Sequence, residues 1–450
     1  MTQVGEAIAR YHKIIESEPY IDLAWAQALQ ERMKAERLGG RMISPVLRPH
    51  FLTNREYASL VKAAEALFSA INRVEQMALS SSALMARLQL LPAERMLAAV
   101  DPGYSFVSVT GLLDTNLNDG TLRFVAHNAE APAGVIYGDT LADLFYEAAP
   151  VKEFRKKYKL KKLGGKAYLL NAMLKAYKDF GGKQKKPRIA IVEFRQPFQT
   201  AEASEHALLA EFFASEGFPT EIVSPDQLEY RSGILRRGEF AIDIAFRRIK
   251  LQEFLVRFDL SHPLVRAYKE RAVCMVNSFR SELGAKRVIF DLLTDDSVTA
   301  RFPAGERKAI KEFIPWTRLV QAAKTTYRNH TVDLPEFVMK HRNKLVLKPN
   351  DDSADLHSFR GAETDDSGWE KALRQAMRTP YVVQEADEPS HAVFPLLQYG
   401  SLMMKEMQVD VHPHSFLGKV HGCSSWLSVA GSNSFSTLTG LAPTFLLEGK

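Results

Sequence analysis

Two short apolar segments in the last quarter of the chain constrain its fold more than any other feature. The first, Leu345–Pro349, ends in a lysine and a proline, and the second, Tyr381–Glu385, ends in Gln-Glu. Both have the length and composition of buried strands. Lys348 would hold a positive charge beside a cleft, where it suits a nucleotide phosphate; the alternative is a solvated lysine before a turn. Gln384 and Glu385 would offer backbone and carboxylate groups to an adenine edge.

The length and composition are those of a globular chain with more than one domain. At 450 residues, the chain exceeds the size of one hydrophobic core, so two or three domains are expected. No apolar run of about eighteen residues occurs, which predicts no membrane span, and the N-terminus lacks the features of a secretory signal. The two cysteines, Cys274 and Cys423, fit neither a metal-ligand spacing nor a disulfide framework. A cytoplasmic protein is therefore expected.

The basic residues are unevenly distributed, although the net charge is only +6. Many of them fall within residues 152–186, which would suit either a nucleic-acid patch or a solvated segment around two Gly-Gly turns. Base-stacking aromatic residues are not interleaved there at regular spacing. The solvated segment is the preferred interpretation, and nucleic acid is not an expected partner.

The first part of the chain changes from a helical to a strand pattern. Residues 5–95 carry apolar positions three and four apart, which predicts helices, with a capping signal at Thr53-Asn54. Residues 106–109 form a predicted strand. Residues 112–114 and 122–126 form a predicted hairpin around the turn signal Asn118-Asp119-Gly120.

A β-α-β pattern follows the hairpin. Residues 188–194 and 220–223 are predicted strands and residues 203–216 a helix between them, which indicates a parallel, Rossmann-like unit. A further strand is predicted over 240–246, and helices over 252–257 and 262–271. Without a G-x-G-x-x-G turn, dinucleotide binding is not supported.

Seven segments, in order, resemble the circularly permuted ATP-grasp proteins related to glutathionylspermidine synthetase. The hairpin resembles an R-x-D strand followed by E-x-N-A-x-x-P-x-G, with Asp114 and Asn128 at two of its polar positions. The other six are the α/β unit over 188–248, Ala285-Lys286-Arg287 (an N-K-A element), residues 314–318 (I-P-x-T-R), the L-V-L-K-P strand at 345–349, the hinge strand at 381–385, and the closing segments at 422–427 and 442–445.

The resemblance implies an α+β / α/β fold class. The expected architecture is a circularly permuted ATP-grasp fold with a Rossmann-like pre-ATP-grasp domain. It implies a helical N-terminal extension over 1–100, a first part of the ATP-grasp domain over 101–186, the pre-ATP-grasp domain over 187–285, and the main ATP-grasp part over 286–450.

The resemblance also implies a chemistry. Enzymes of this group use ATP and Mg²⁺ to join a small-molecule acid to an amine through an acyl phosphate, which needs cations for the phosphates and carboxylates for the metal. No residue of this chain is assigned a catalytic role. The residues assigned to the nucleotide are Lys286, Lys348, Gln384 and Glu385, although Lys286 would also suit a surface lysine. Those assigned to residual metal binding are Asp114 and Asn128; the alternative is that these two cap the ends of the hairpin.

Three motif positions depart from the pattern of the group. Leu112 stands at the arginine of R-x-D, Ala126 at the glutamate of E-x-N, and Trp426 at the arginine before Leu-Ser. Alanine offers no oxygen ligand to a hard cation. The adjacent His127 should face the other side of the strand, so it is not expected to replace the lost carboxylate.

The phosphate-covering loop departs as well. Residues 352–359 contain no glycine, whereas such a loop brings backbone N–H groups close to phosphate, often at positive φ, which glycine allows. Asp352 and Asp355 would also repel a triphosphate.

These departures lead to three hypotheses. The first is a catalytically impaired pseudo-ligase that retains nucleotide, substrate or partner binding. The second is an active ATP- and magnesium-dependent ligase with a rebuilt metal site, which forms an amide bond. The third is a scaffold that binds an intact paralogue as its protein partner. Outside the motifs, Arg247 and Arg248 would suit either anion contacts that line the cleft or a solvated pair, and the solvated pair is slightly preferred. His412 and His414 would suit either a metal site or a surface loop, and the surface loop is preferred.

Overall fold

The structure, a computed structural model, describes residues 2–35, 43–118, 121–194, 205–351, 356–429 and 440–448. The helices are α1 (Gln3–Ile15), α2 (Ala24–Ala35), α3 (Asn54–Ser80), α4 (Ser82–Arg87), α5 (Pro92–Ala99), α6 (Val135–Tyr146), α7 (Ala149–Arg155), α8 (Lys166–Asp179), α9 (Glu205–Ser215), α10 (Leu251–Arg257), α11 (Pro263–Lys269), α12 (Glu282–Ala285), α13 (Ile289–Leu293), α14 (Asp296–Thr299), α15 (Ala304–Phe313), α16 (Leu334–Lys340) and α17 (Asp366–Ala376). Two predicted features, the turn at Asp119-Gly120 and the loop from Asp352 to Asp355, fall outside the described residues.

The strands are β1 (His50–Thr53), β2 (Thr110–Asn118), β3 (Thr121–Asn128), β4 (Leu160–Lys162), β5 (Ile189–Val192), β6 (Thr220–Val223), β7 (Glu229–Arg231), β8 (Ile234–Arg237), β9 (Phe240–Ala241), β10 (Ile244–Arg247), β11 (Cys274–Val276), β12 (Thr317–Leu319), β13 (Lys324–Tyr327), β14 (His330–Asp333), β15 (Leu345–Pro349), β16 (Phe359–Arg360), β17 (Tyr381–Glu385), β18 (His391–Gln398), β19 (Ser401–Phe416), β20 (Lys419–Ser428), β21 (Gly440–Ala442) and β22 (Thr444–Leu447). Short 3-10 helices occur at Glu18–Tyr20, Pro225–Gln227, Phe279–Ser281 and Arg342–Lys344.

Strands from both parts of the chain form one antiparallel sheet, in the order β21-β20-β19-β2-β3, with β18 also paired to β19. The predicted hairpin is confirmed as β2 and β3. β2 pairs with β19 near the other end of the chain, with His414 opposite Leu112. Because successive side chains of a strand point to opposite faces, one face of the sheet carries Leu112 and Asp114, and the other carries Gly111 and Leu113.

Helix α3 covers the face that carries Leu113. Its buried residues recur three or four positions apart, as an amphipathic helix requires, and they share a hydrophobic core with Leu113 and Val411 of the sheet. The predicted capping signal is confirmed: Thr53 Oγ1 accepts from the Glu56 N–H at 3.1 Å, and Glu56 Oε2 accepts from the Thr53 N–H at 2.7 Å. This capping box fixes the start of the helix.

The N-terminal region is mainly helical, as predicted, but it also contributes a strand that the sequence analysis missed. β1 pairs in parallel with β22, and β22 pairs on its other side with β4. Tyr11 of α1 donates a hydrogen bond from its hydroxyl to the Leu47 carbonyl at 2.8 Å. The N-terminal helices are therefore tied to strands from the far end of the chain.

The predicted strand over 106–109 is wrong, since β2 begins at Thr110. The N–H groups of Val109 and Thr110 donate to Oδ1 of Asn277 at 2.9 and 3.0 Å. Asn277 Nδ2 donates to the carbonyls of Thr110 and Ala129 at 2.7 and 2.5 Å. A single buried side chain thus takes hydrogen bonds that a partner strand would otherwise have taken.

The Rossmann-like unit is confirmed as a parallel sheet in the order β11-β10-β5-β6. The single strand predicted over 240–246 is instead two strands, β9 and β10. Asp243 lies between them and accepts hydrogen bonds on Oδ2 from the main-chain N–H and Nε of Arg188, at 2.8 and 2.9 Å. The break falls where the chain passes from the β7-β8-β9 sheet to the parallel sheet.

Both apolar segments predicted as buried strands are strands with the predicted bounds, β15 and β17. They pair antiparallel in a sheet of order β12-β17-β15-β16, with Val346 opposite Gln384 and Lys348 opposite Val382. Lys348 and Gln384 therefore project from the same face, and Glu385 from the other.

None of the helices in the described ranges combines the length and apolar character needed to cross a membrane. Both cysteines are free and buried. Burial raises the pKa of the Cys423 thiol to about 12, which keeps it protonated and unreactive at neutral pH.

Asn277→Ala should lower the free energy of unfolding by roughly 2–4 kcal/mol, because it leaves buried N–H and carbonyl groups without partners. Urea unfolding followed by circular dichroism measures this loss. Gln76→Ala is the control, because its exposed amide makes one hydrogen bond, of 3.3 Å, to the Ser105 carbonyl. That change should cost less than about 0.5 kcal/mol. Equal losses in the two variants would contradict the bridging role of Asn277.

Candidate functional site

The residues of the hairpin motifs meet in a cavity of about 280 Å³, called here the front cavity. It is lined by Leu112, Asp114, Ala126, His127, Asn128, Glu130, Ala133, Lys250, Gln252, Ala285, Arg287, Asp351, His412 and Trp426. The three substituted motif positions, Leu112, Ala126 and Trp426, thus line the same space as Asp114 and Asn128.

The register of the sheet explains why these residues meet. Asp114 is opposite Ala126, and Leu112 is opposite Asn128, so all four side chains project from one face. His127 lies one position from Ala126, and its ring projects from the other face as predicted. There its Nδ1 lies 2.9 Å from the Gly284 carbonyl oxygen.

The predicted metal positions offer few free oxygen ligands. The Asp114 side chain is 40% exposed, and its Oδ1 lies 3.4 Å from His412 Nε2. The Asn128 Oδ1 already accepts hydrogen bonds of 3.2 and 3.3 Å from two main-chain N–H groups of the following turn. Ala126 supplies no oxygen. Mg²⁺ requires near-octahedral coordination by hard oxygen atoms, so this donor set does not fit the magnesium site that the resemblance implies.

Lys348 lies against the hairpin, although β3 and β15 are far apart in the sequence. Its Nζ donates to Gln384 Oε1 at 2.7 Å and lies 3.4 Å from the Val125 carbonyl oxygen. Gln384 Nε2 donates in turn to Thr317 Oγ1 at 3.0 Å. Burial, reinforced by the Arg287 guanidinium, lowers the pKa of Lys348 to about 7. The amine is therefore only partly protonated at neutral pH.

Glu385 projects into a different space from Gln384. Its carboxylate accepts hydrogen bonds from the Tyr327 hydroxyl at 2.6 Å and from the Arg328 guanidinium at 3.2 Å. It lines a groove of about 1230 Å³ that also contains Arg318, called here the outer groove. The two side chains that the sequence assigns to adenine are therefore on opposite faces of β17.

Lys286 is wholly buried among carboxyl groups. Its Nζ lies 3.0 Å from Glu94 and 2.9 Å from Glu282, and it also forms an ion pair with Asp351. Burial by itself would lower the pKa of Lys286, but the surrounding carboxyl groups raise it above its usual value. The carboxylate oxygens lie within 4.8 Å of one another, close enough to hold a metal ion. The Lys286 ammonium occupies the place that such a metal ion would take, and the surrounding carboxyl groups neutralise its positive charge.

Two more side chains extend this buried cluster. Arg247 lies 3.2 Å from Glu130 Oε1. Burial and the Glu130 carboxylate raise the pKa of Glu282 well above its usual value. Arg248 is also buried and lies 2.9 Å from Glu205. The interpretation of the two arginines as a solvated pair is therefore wrong, because each compensates a buried carboxylate.

The interpretation of His412 and His414 as surface-loop residues is also wrong, since both lie within β19. Pro413 between them lacks an N–H and favours a loop in sequence terms, but a register shift after Pro413 accommodates it. His412 lines the front cavity beside Asp114. His414 is buried with Nε2 at 3.0 Å from Ser424 Oγ, and burial lowers its pKa to about 3.

Sequence reasoning missed the acidic partners of Lys286. Glu94 follows Pro92 in the first turn of α5, and its carboxylate accepts from the Leu91 N–H at 2.8 Å. The sequence signal there is a helix start, which does not predict an ion pair. Glu282 lies four residues before Lys286 on adjoining helical turns, a spacing that does indicate a side-chain pair.

The fold of this chain resembles that of solved proteins. A glutathione synthetase-like effector from Globodera pallida, in its apo form, superposes with a TM-score of 0.59 at 13% identity, covering 96% of this chain and 99% of that chain. A putative γ-glutamylcysteine synthetase from Methylobacillus flagellatus gives a TM-score of 0.42 at 11% identity, with 88% of each chain covered. No protein-family model matches the chain, and no curated protein does. The chain has a mixed α/β, ATP-grasp-like fold with N-terminal helices.

Lys286→Met should lower the free energy of unfolding by about 3–5 kcal/mol, because it leaves buried carboxylates without a counter-charge. Adding Glu94→Gln should recover part of this loss, because one of those charges is then removed. Denaturant unfolding of the single and double variants measures both effects.

Lys419→Met is the matched control. Its ammonium pairs with Glu65 at 2.9 Å but is 69% exposed, so its loss should cost less than about 1 kcal/mol. A Lys286→Met variant as stable as the control would contradict the buried cluster.

Proposed function

We propose that this chain is an ATP-grasp-fold homologue of carboxylate–amine ligases that binds nucleotide weakly and has lost efficient ligase turnover. The observation that carries the proposal is the composition of the front cavity. Leu112, Ala126 and Trp426 line it together with Asp114 and Asn128. By the resemblance, these three positions would hold two arginines and a glutamate. In terms of the resemblance, the cavity would lack two phosphate-binding cations and one metal ligand, and the cations that remain in its lining are Lys250 and Arg287.

The state of the two lysines supports weak rather than tight nucleotide binding. In this proposal, adenine lies at the main chain of Gln384-Glu385, at the end of β17, with the phosphates toward Lys348 and Lys286. The charge of Lys286 is neutralised by its carboxylate partners. Lys348 has a pKa lowered to about 7. A triphosphate would therefore meet much less positive charge than two free lysines would supply.

One observation favours a second candidate, an active ligase with a rebuilt metal site. Glu130 and Asp351 line the front cavity with Asp114, so two further carboxyl groups are available there. They are, however, already paired with Arg247 and Lys286. Magnesium-dependent phosphate release from ATP, measured with a panel of small acids and amines, separates the two candidates. Robust turnover by the natural protein would overturn the pseudo-ligase proposal.

Nucleotide binding should depend on pH through Lys348. With a pKa of about 7, the amine is protonated at pH 6 and mostly neutral at pH 8, so the affinity for ATP should fall about tenfold between these values if only the ammonium binds. Lys348→Arg should remove most of this pH dependence, because arginine stays charged. Any pH dependence that remains in this variant measures the titration of the nucleotide itself. Isothermal titration calorimetry at both pH values provides the measurement.

Lys348→Ala completes the series. It should weaken ATP binding at pH 6 and flatten the pH dependence. Unchanged affinity in this variant would locate the nucleotide elsewhere, for example in the outer groove.

Ala126→Glu should strengthen Mg-ATP binding several-fold, because it returns a carboxylate opposite Asp114, where a hard cation needs anionic oxygen. It should not restore turnover, since Leu112 and Trp426 still replace the arginines. Calorimetric titration of Mg-ATP and of ATP with EDTA measures the metal-dependent part. Ala126→Gln is the matched control, with similar size and no charge. No difference between Glu and Gln at this position would mean that residue 126 is not beside the metal.

A further inference from the structure

A second cavity lies on the opposite face of the hairpin from the front cavity. It has a volume of about 250 Å³ and lies between α3 and the sheet, and it is called here the back cavity. Its buried end contains Glu75 and His127, and its exposed end contains Glu65 and Lys419. A water molecule occupies roughly 30 Å³ in the liquid, so the cavity has room for several waters or one small organic molecule.

His127 presents a hydrogen-bond acceptor to this cavity. Its Nδ1 lies 2.9 Å from the Gly284 carbonyl oxygen, and because a carbonyl can only accept, Nδ1 carries the proton. In the neutral ring with the proton on Nδ1, Nε2 is a lone-pair acceptor, and it is buried without a partner among the described residues.

Glu75 presents a second acceptor. Its side chain is 1% exposed, and Oε1 likewise has no hydrogen-bond partner in the described part of the chain. A Cβ atom at Gly284 would lie 2.2 Å from this oxygen, so glycine at that position leaves room for the carboxyl group. The Ser108 hydroxyl also lines the cavity and interacts with the Glu75 carboxyl group, but Glu75 Oε1 and His127 Nε2 have no partner in the described part of the chain. Unsatisfied polar atoms in an interior cavity are costly unless something fills it.

The exposed end supplies no free cation for Glu75. Lys419 there is paired with Glu65 at 2.9 Å, and Glu65 also accepts from the Val420 N–H at 3.1 Å. The titratable groups that line the back cavity are Glu65, Glu75, His127 and Lys419. Its remaining walls are partly apolar, with Phe68, Ile71, Phe106 and Leu417 among them.

We propose that the back cavity binds a small primary ammonium compound, whose N–H groups donate to Glu75 and to Nε2 of His127. An ammonium fits because it offers several donors and one positive charge to a site that offers acceptors and a carboxyl group. The aromatic and aliphatic walls cover a short hydrocarbon chain. The back cavity shares His127 with the lining of the front cavity, and the other lining residues of the two cavities differ.

Binding of the ammonium should release a proton from Glu75. Burial raises the pKa of Glu75 to about 8, so the carboxyl group of the free protein is mostly protonated at pH 7. A bound ammonium favours the ionised carboxylate, and binding at pH 7 should therefore release up to about 0.9 proton.

Isothermal titration calorimetry with n-butylammonium chloride tests the proposal on the full chain. Saturable binding is expected for n-butylammonium, and at least tenfold weaker binding for n-butanol, which lacks the charge, and for tetramethylammonium, which lacks N–H donors. Titration at pH 7 in two buffers of different ionisation enthalpy measures the released proton. Equal binding of all three probes, or of none, would overturn the proposal and leave a cavity that holds water.

Variants locate the binding site. Glu75→Gln keeps the size of the side chain and should weaken n-butylammonium binding at least tenfold and abolish proton release. His127→Asn keeps a donor for the Gly284 carbonyl and removes the Nε2 acceptor, so it should also weaken n-butylammonium binding. If Glu75→Gln does not fold, His127→Asn is the variant that tests whether the amine binds in the back cavity. Asp114→Asn, in the front cavity, should leave n-butylammonium binding unchanged. If Asp114→Asn loses n-butylammonium binding while Glu75→Gln retains it, the amine binds in the front cavity and the proposal is overturned.

Discussion

The pairing of β2 with β19 is the contact on which the rest of the structure depends. It joins a hairpin from the first third of the chain to a long strand near its end, with His414 opposite Leu112. A shift of one residue would exchange the two faces of the strand. This register therefore decides that Leu112 and Asp114 face the front cavity while Gly111 faces the back cavity. Two cavities of similar volume consequently share the same two strands as a common wall.

Buried charge is the second constraint on this region. Taking a charged side chain out of water costs several kcal/mol unless a partner compensates it. The cluster around Lys286 meets this cost with carboxyl groups from three separate segments: Glu94 on α5, Glu282 on α12, and Asp351 just after β15. The N-terminal helices are therefore part of the central interior of the protein. A phosphate that approached Lys286 would have to displace at least one of these carboxylates, which explains in physical terms why the lysine alone does not define a phosphate site.

Much of the fold follows from local pattern. The apolar runs at β15 and β17, the hairpin of β2 and β3, the parallel β5-α9-β6 unit and the cap at Thr53 all appear where periodicity and turn residues predict them. Two of the failures share one cause, which is a side chain that accepts a hydrogen bond from a main-chain N–H. Asn277 takes the N–H groups before β2, and Asp243 interrupts the strand predicted over 240–246. The surface loop predicted at His412 and His414 failed for a different reason, since β19 continues through Pro413 with a register shift.

The sequence by itself determined the order of the motifs, the strand identities, and the substitution of charged motif positions by Leu112, Ala126 and Trp426. Strand alternation also predicted that His127 faces away from Ala126. Only the tertiary structure decided that the three substituted positions line one cavity, that Lys286 is neutralised, and that Gln384 and Glu385 face different spaces. It likewise brought Glu75 and His127 together. The reason is physical: secondary structure follows from preferences between near neighbours, whereas the partner of a buried charge is set by strand register and helix packing between segments that are distant in the chain.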